Sequence, residues 1–181
     1  MCLSLNYPKV IKSRLHYTPV LVGILAMNEY LLEAKEELKR LEHIIYVSLK
    51  YTRTVDVITN ALNRMISTYD FIVEAFLEKA LDEKKLDSMP KSPALKAKKL
   101  AELYPDDPLI QKNLTIYFSL RNILKSPHQK RQEFRRHVTL VVALEDSTVE
   151  IEIDTLVNCE KFIHKFLNYS FGIIEGIVEE D

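Results

Sequence analysis

The stretch "TVDVITNALNRMISTYDFIVEAFLEKALDEKK", Thr54 to Lys85, decides the fold class. Val55, Ile58, Leu62, Met65, Tyr69, Ile72, Phe76 and Ala80 recur every three or four residues, the one-sided stripe of an amphipathic helix. No proline or glycine interrupts it, so the spacing predicts one long helix over 54–85. A helix of that length has to bury its stripe against other elements, and the flanking sequence supplies them. Upstream, Ile24, Met27, Leu31, Ala34, Leu38, Leu41 and Ile45 repeat the spacing and predict a first long helix over 20–49. Downstream, "DSMPKSP" breaks the pattern and a short lysine-rich helix over 93–104 follows. "YPDDP" then ends that helix and opens the next, with Asp107 suited to the N-cap and Pro108 to the first helical position. This fourth helix runs to Ser126, because Pro127 disfavours helical geometry in the residue before it.

Beyond it the period changes from 3.6 to 2. "HVTLVVALE" and "TVEIEID" flank "DS" and are rich in Val, Ile and Thr, which predicts a β-hairpin over 136–154. A closing helix over 156–178 carries Phe162, Phe166, Tyr169, Ile173 and Ile177 on one face. The expected fold is mainly α, an up-and-down bundle of long antiparallel helices with a β-hairpin inserted before the last helix. Residues 1–19, with Pro8 and Pro19, read as an N-terminal arm, and 20–181 as a single domain.

Composition narrows the function. A formal net charge of −1 on 181 residues argues against coating nucleic acid by bulk electrostatics, so any such contact needs a local patch. The three glycines, Gly23, Gly172 and Gly176, are too few and too scattered for the phosphate cradles of Walker or dinucleotide folds. Cys2 and Cys159 make neither a disulfide framework nor a zinc site, and no cofactor is implied. The eight-residue apolar run "VLVGILAM" lacks a small-residue cleavage site and merges into a helical pattern, so it does not read as a signal peptide, and no segment is long enough to cross a bilayer. With so few cysteines a reducing cytoplasm is expected.

A local patch does exist. "LRNILKSPHQKRQEFRRHV", Leu120 to Val138, holds six positive residues against Glu133 alone. On a helical wheel Arg121 falls inside the apolar arc of Ile110, Leu114, Tyr117, Leu120 and Leu124. A guanidinium there is costly unless it is paired or opens onto a cleft. His128 lies seven positions on, the same face if the helical path persists. The plainest reading lets Arg121 snorkel past Tyr117 to solvent, and a purely structural role expects it to pair with a carboxylate of its own bundle.

"YFSLRNILKSPH" resembles the signature of the HEPN superfamily, helical-bundle proteins marked by an Arg, often followed by Asn, and then a His on and just after a bundle helix. Arg121-Asn122 followed by His128 fits the long limit of that spacing, and the order of helices is similar over residues 20–178. The resemblance implies a protein acting on RNA, of toxin or RNA-processing type. As a metal-independent endoribonuclease it would leave 2′,3′-cyclic phosphate ends at a cleft between two subunits of a homodimer. His128 would be the general acid or base, Arg121 would hold the scissile phosphate, and Asn122 would orient one of them. The resemblance equally allows a non-catalytic dimeric module that binds nucleotide, RNA, or a partner such as a nucleotidyltransferase or an antitoxin.

Lys125, Lys130, Arg131, Arg135, Arg136 and His137 could track an RNA backbone. They could also dock against residues 145–181, which hold ten acidic residues against Lys161 and Lys165. Asp70 with Glu74, and Glu160 with His164, are one helical turn apart but lack further metal ligands, so solvated helix faces are expected and no metal site is. Gly172 and Gly176 form a G-x3-G spacing, which in a bundle marks a close helix contact.

Overall fold

The computed structural model describes residues 27–176. The expected arm over 1–19 and the first part of the first predicted helix lie outside the described residues, as does Ile177. The chain is mainly helical, with five helices and a small three-stranded antiparallel sheet before the last of them.

Helix α1, Glu29–His43, starts later than expected. Asn28 caps it, its side-chain oxygen accepting the Leu31 N–H at 3.2 Å. The same residue ties two distant helix ends together. Its amide donates to Glu175 at 2.6 Å and its Nδ2 to Glu78 at 2.6 Å. After His43 the backbone widens into a π turn, Ile44–Ser48, and returns to α geometry over Leu49–Tyr51. Three β-branched residues, Ile44, Ile45 and Val47, crowd this turn and weaken its preference for a regular α-helix. The wider turn lets the neighbours Ile44 and Ile45 both reach the core.

Helix α2, Val55–Asp82, is the long helix read from the opening stretch. Its eight stripe residues are all buried. It ends three residues earlier than the stripe alone suggests. Lys84 adopts φ 57°, and the Lys85 amide reaches back to the Ala80 carbonyl at 2.8 Å. This is a Schellman closure with lysine in the place glycine usually takes. Helices α3, Pro93–Leu103, and α4, Pro108–Lys125, follow the predicted boundaries within a residue. Asp107 caps α4 by accepting the Leu109 and Ile110 amides.

All the other helices contact α2. At the centre, Tyr69 sits 5.8 Å from Tyr117 and 6.0 Å from Phe166, and Phe76 lies 6.3 Å from Phe166 and 5.5 Å from Tyr104. Among the described residues the buried side-chain polar atoms are satisfied. Tyr69 donates to Asn113, which donates to the Leu109 carbonyl.

The sheet corrects the expected hairpin. Strands β2, Thr139–Ala143, and β3, Thr148–Ile151, pair antiparallel as read, with Leu140 opposite Ile151. A further strand, β1, His128–Arg131, pairs with the other side of β2. "HQKR" has no apolar alternation and is exposed throughout, so backbone pairing and the surface side-chain bonds of Lys130 and Arg131, rather than burial, hold it as an edge strand. The second hairpin strand stops before Glu152. Glu152 and Thr155 form a capping box, so Ile153 and Asp154 belong to the last helix, α5, Ile153–Glu175.

Gly176 also differs from expectation. It takes φ 69° as the left-handed cap of α5, and no atom lies within 4 Å of where a Cβ would stand, so close packing does not explain it. We expect Phe166→Ala to lower stability by about 3–5 kcal/mol, because the void between Tyr69 and Phe76 cannot collapse. Urea denaturation measures this, and a loss under about 1 kcal/mol would contradict that packing.

Candidate functional site

The Arg121 corner is built by α4 crossing α2. Tyr117 is buried and its hydroxyl donates to Asp70 on α2 at 2.5 Å. Arg121, one turn further along α4, donates through Nη1 to the same hydroxyl oxygen at 2.8 Å and lies 4.0 Å from the Asp70 carboxylate. Its guanidinium carbon stands 5.4 Å from the Tyr117 ring centre. Arg121 therefore meets a carboxylate within its own chain, as the purely structural role expected. Burial pushes the Asp70 carboxyl above its ordinary value, against the opposing pull of the Tyr117 hydrogen bond and the Arg121 charge.

His128 does not extend this face. Ser126 turns to ψ 153° ahead of Pro127, and His128 opens β1 opposite Val142. Its side chain is exposed and, among the described residues, makes no hydrogen bond or ion pair with Arg121. Asn122 is also exposed, and its carbonyl accepts the Ser126 hydroxyl at 2.9 Å.

The basic segment divides in two. Lys130 pairs with Asp56 at 2.9 Å and Glu133 at 3.7 Å, and Arg131 grips Glu150 through both terminal nitrogens. These two charges are thus largely answered within the fold, Arg131 by the acidic C-terminal part as one reading expected. Lys125, Arg135, Arg136 and His137 are exposed, and their side chains have no partner among the described residues.

Arg136 and His137 converge with two cations that sequence reasoning missed, Lys50 and Arg53. The four line one groove of about 340 Å³, together with Tyr46 of the π turn. Ile45, Leu49 and Ile153 line it as well. Glu152 and Asp154, where α5 begins, also line it. Glu152 is already engaged, accepting the Thr139 hydroxyl at 3.2 Å and the Thr155 amide.

Two hydrogen bonds shape this place. The Phe134 amide donates to the Arg53 carbonyl at 2.6 Å, and Glu133 accepts the Val55 amide at 3.2 Å, completing the N-terminus of α2 that Thr54 leaves uncapped. The β1–β2 connection is thereby pinned to the corner between α1 and α2. The sequence signal was "KYTRT", a cationic break between two predicted helices. Only the fold brings it to Arg136.

The weaker candidates resolve as structure. Glu74 pairs with Lys96, Glu160 is buried and accepts the Tyr46 hydroxyl at 3.1 Å, and His164 faces Glu42 at 3.9 Å. Glu160 is thus not on a solvated face. Among the described residues no cluster of three metal-ligating side chains forms, and no helix is long and apolar enough to cross a membrane. No family model, curated protein or solved structure matches this chain.

The Asp70 environment has a measurable consequence. A carboxyl whose pKa is raised by folding stabilises the fold when protonated, and that contribution is lost as pH rises through the folded value. Urea midpoints of wild type and Asp70→Asn, compared between about pH 3.5 and pH 7, should shift against wild type as pH rises. A difference that stays constant over that range would contradict the assignment.

Proposed function

We propose that this is a cytoplasmic RNA-binding protein, an up-and-down helical bundle of HEPN-like type, which holds RNA phosphates along the groove of Lys50, Arg53, Arg136 and His137. One observation carries this reading. The cationic side chains of Lys50, Arg53 and Arg136 meet His137 on one groove with no hydrogen-bond or ion-pair partner among the described residues, whereas Lys130 and Arg131 beside them are paired. Selective pairing leaves a local positive surface on a chain whose net charge is −1. Arginine and lysine side chains that are not already engaged can neutralise phosphates and release counterions.

On this reading Arg121 is a structural residue, since its guanidinium already has Tyr117 and Asp70. A second reading, the metal-independent ribonuclease, is favoured by the exposure of Asn122 and His128 and by the absence of a side-chain partner for His128 among the described residues. It requires a second subunit to complete the cleft.

The two readings separate experimentally. Wild type should bind single-stranded RNA with affinity that falls steeply with salt. Arg53→Gln combined with Arg136→Gln should weaken binding and lower the salt slope by about two, one for each lost phosphate contact. Binding should survive His128→Ala. Cleavage of RNA in EDTA by wild type, abolished in His128→Ala, would instead establish the ribonuclease.

A further inference from the structure

One aromatic side chain lines the groove, and two more that the core does not use stand within two residues of its lining cations in the chain. Tyr51 is 82% exposed and Phe134 78% exposed, while Tyr46, which lines the groove, is 51% exposed. Tyr51 follows Lys50 and precedes Arg53 by two residues. Phe134 is fixed to that corner by its amide bond to the Arg53 carbonyl and precedes Arg136 by two residues. Tyr46 is the least free of the three, since its hydroxyl donates to Glu160.

Hydrophobic burial cannot account for Phe134. Folding gains almost nothing from a ring left in water. The backbone there is also unfavourable, with φ 64° at Phe134 and φ 52° at Gln132, a conformation that a bulky side chain rarely adopts. The fold holds it through the Arg53 contact and the neighbouring Glu133 cap on α2. An exposed ring, held on a strained backbone beside a groove of unpaired cations, needs a purpose outside the core.

We infer that Tyr51 and Phe134 stack on unpaired bases of a single-stranded nucleic acid whose phosphates lie along the Lys50, Arg53, Arg136 and His137 groove. This inference rests on the RNA reading given above and adds that the strand is single and that its bases, as well as its backbone, are held. Three cations unpaired among the described residues, Lys50, Arg53 and Arg136, against two lining carboxylates, of which Glu152 is engaged by Thr139, favour a polyanion over an apolar protein segment. The alternation of cations with exposed rings matches how single strands are gripped, since phosphates need charge and every base offers a π face. A duplex keeps its bases stacked internally and would present only phosphates to this surface. Stacking of this kind tolerates differences in base sequence.

The test is equilibrium binding of a fluorescent oligouridylate of about ten nucleotides, at low and moderate salt, to the full chain and its variants. Phe134→Ala and Tyr51→Ala lie at exposed positions, and circular dichroism with thermal melting verifies their folding. Each should weaken oligouridylate binding about five- to 150-fold while leaving the salt slope unchanged. A duplex RNA of the same length and inorganic tripolyphosphate should bind more weakly than the single strand and be insensitive to both variants. Oligothymidylate should bind no more tightly than oligouridylate, and a strong preference for it would reassign the strand to DNA and overturn the RNA assignment.

If the double variant Phe134→Ala, Tyr51→Ala binds oligouridylate within twofold of wild type, stacking is wrong. Phosphate binding then still stands, provided Arg53→Gln with Arg136→Gln loses affinity. If those arginine variants bind as wild type does, the groove reading fails on its own. Failure of wild type to bind any oligonucleotide at low salt overturns both.

Discussion

Every other helix leans on α2, and the burial of its face is the constraint from which the rest of the architecture follows. Its eight stripe positions are almost wholly removed from water, from Val55 at one end to Ala80 at the other. Burial on that scale is the main favourable term available to a chain with no metal cluster among its described residues. It also fixes where polar groups can go. Asp70 lies on α2 where α4 crosses, and it is tolerated because Tyr117 donates to it and Arg121 stands near. The first amide of α2 is completed by Glu133 from across the fold. The same helix therefore organises both the arginine corner and, at its other end, the place where Arg53 meets the β1–β2 connection.

Electrostatics then distinguishes two kinds of cation within a short stretch. Lys130 and Arg131 sit on an edge strand opposite acidic side chains and are neutralised there. Such exposed pairs add little stability, but they help blunt a strand edge. Arg136 and His137 follow a loop that passes over the α1–α2 corner, and they join Lys50 and Arg53 in a groove where, among the described residues, the lining carboxylates Glu152 and Asp154 form no ion pair with them. The contrast matters more than the number of positive charges in the segment.

The fold was legible wherever the hydrophobic period was long. Phe76 and Tyr69 announce α2, and Asp107 with Pro108 announces α4, because caps and stripes are local facts. Strand β1 was illegible, because "HQKR" is held by backbone pairing with Thr139–Val142 and carries no pattern of its own. The π turn at Ile44–Ser48 was equally hidden, since its stripe still satisfies helical spacing. Of the site residues, Arg136 and His137 could be read from the basic run. Lys50 and Arg53 could not be, because their proximity depends on a loop about eighty residues away being pinned to the Arg53 carbonyl. Arg121 was rightly marked as needing an explanation, and the Asp70–Tyr117 pair supplies one within the chain.

We propose that nucleic acid meets the corner between α1 and α2, not the end of α4. Photo-crosslinking of thiouridine-substituted single-stranded RNA to the full chain, with the modified peptides sequenced by mass spectrometry, tests it most directly. Adducts on peptides spanning Tyr46 to Arg53 and Phe134 to His137 are the expected result. Adducts confined to the peptide from Tyr117 to His128 would contradict the account and return the function to the Arg121–His128 pair.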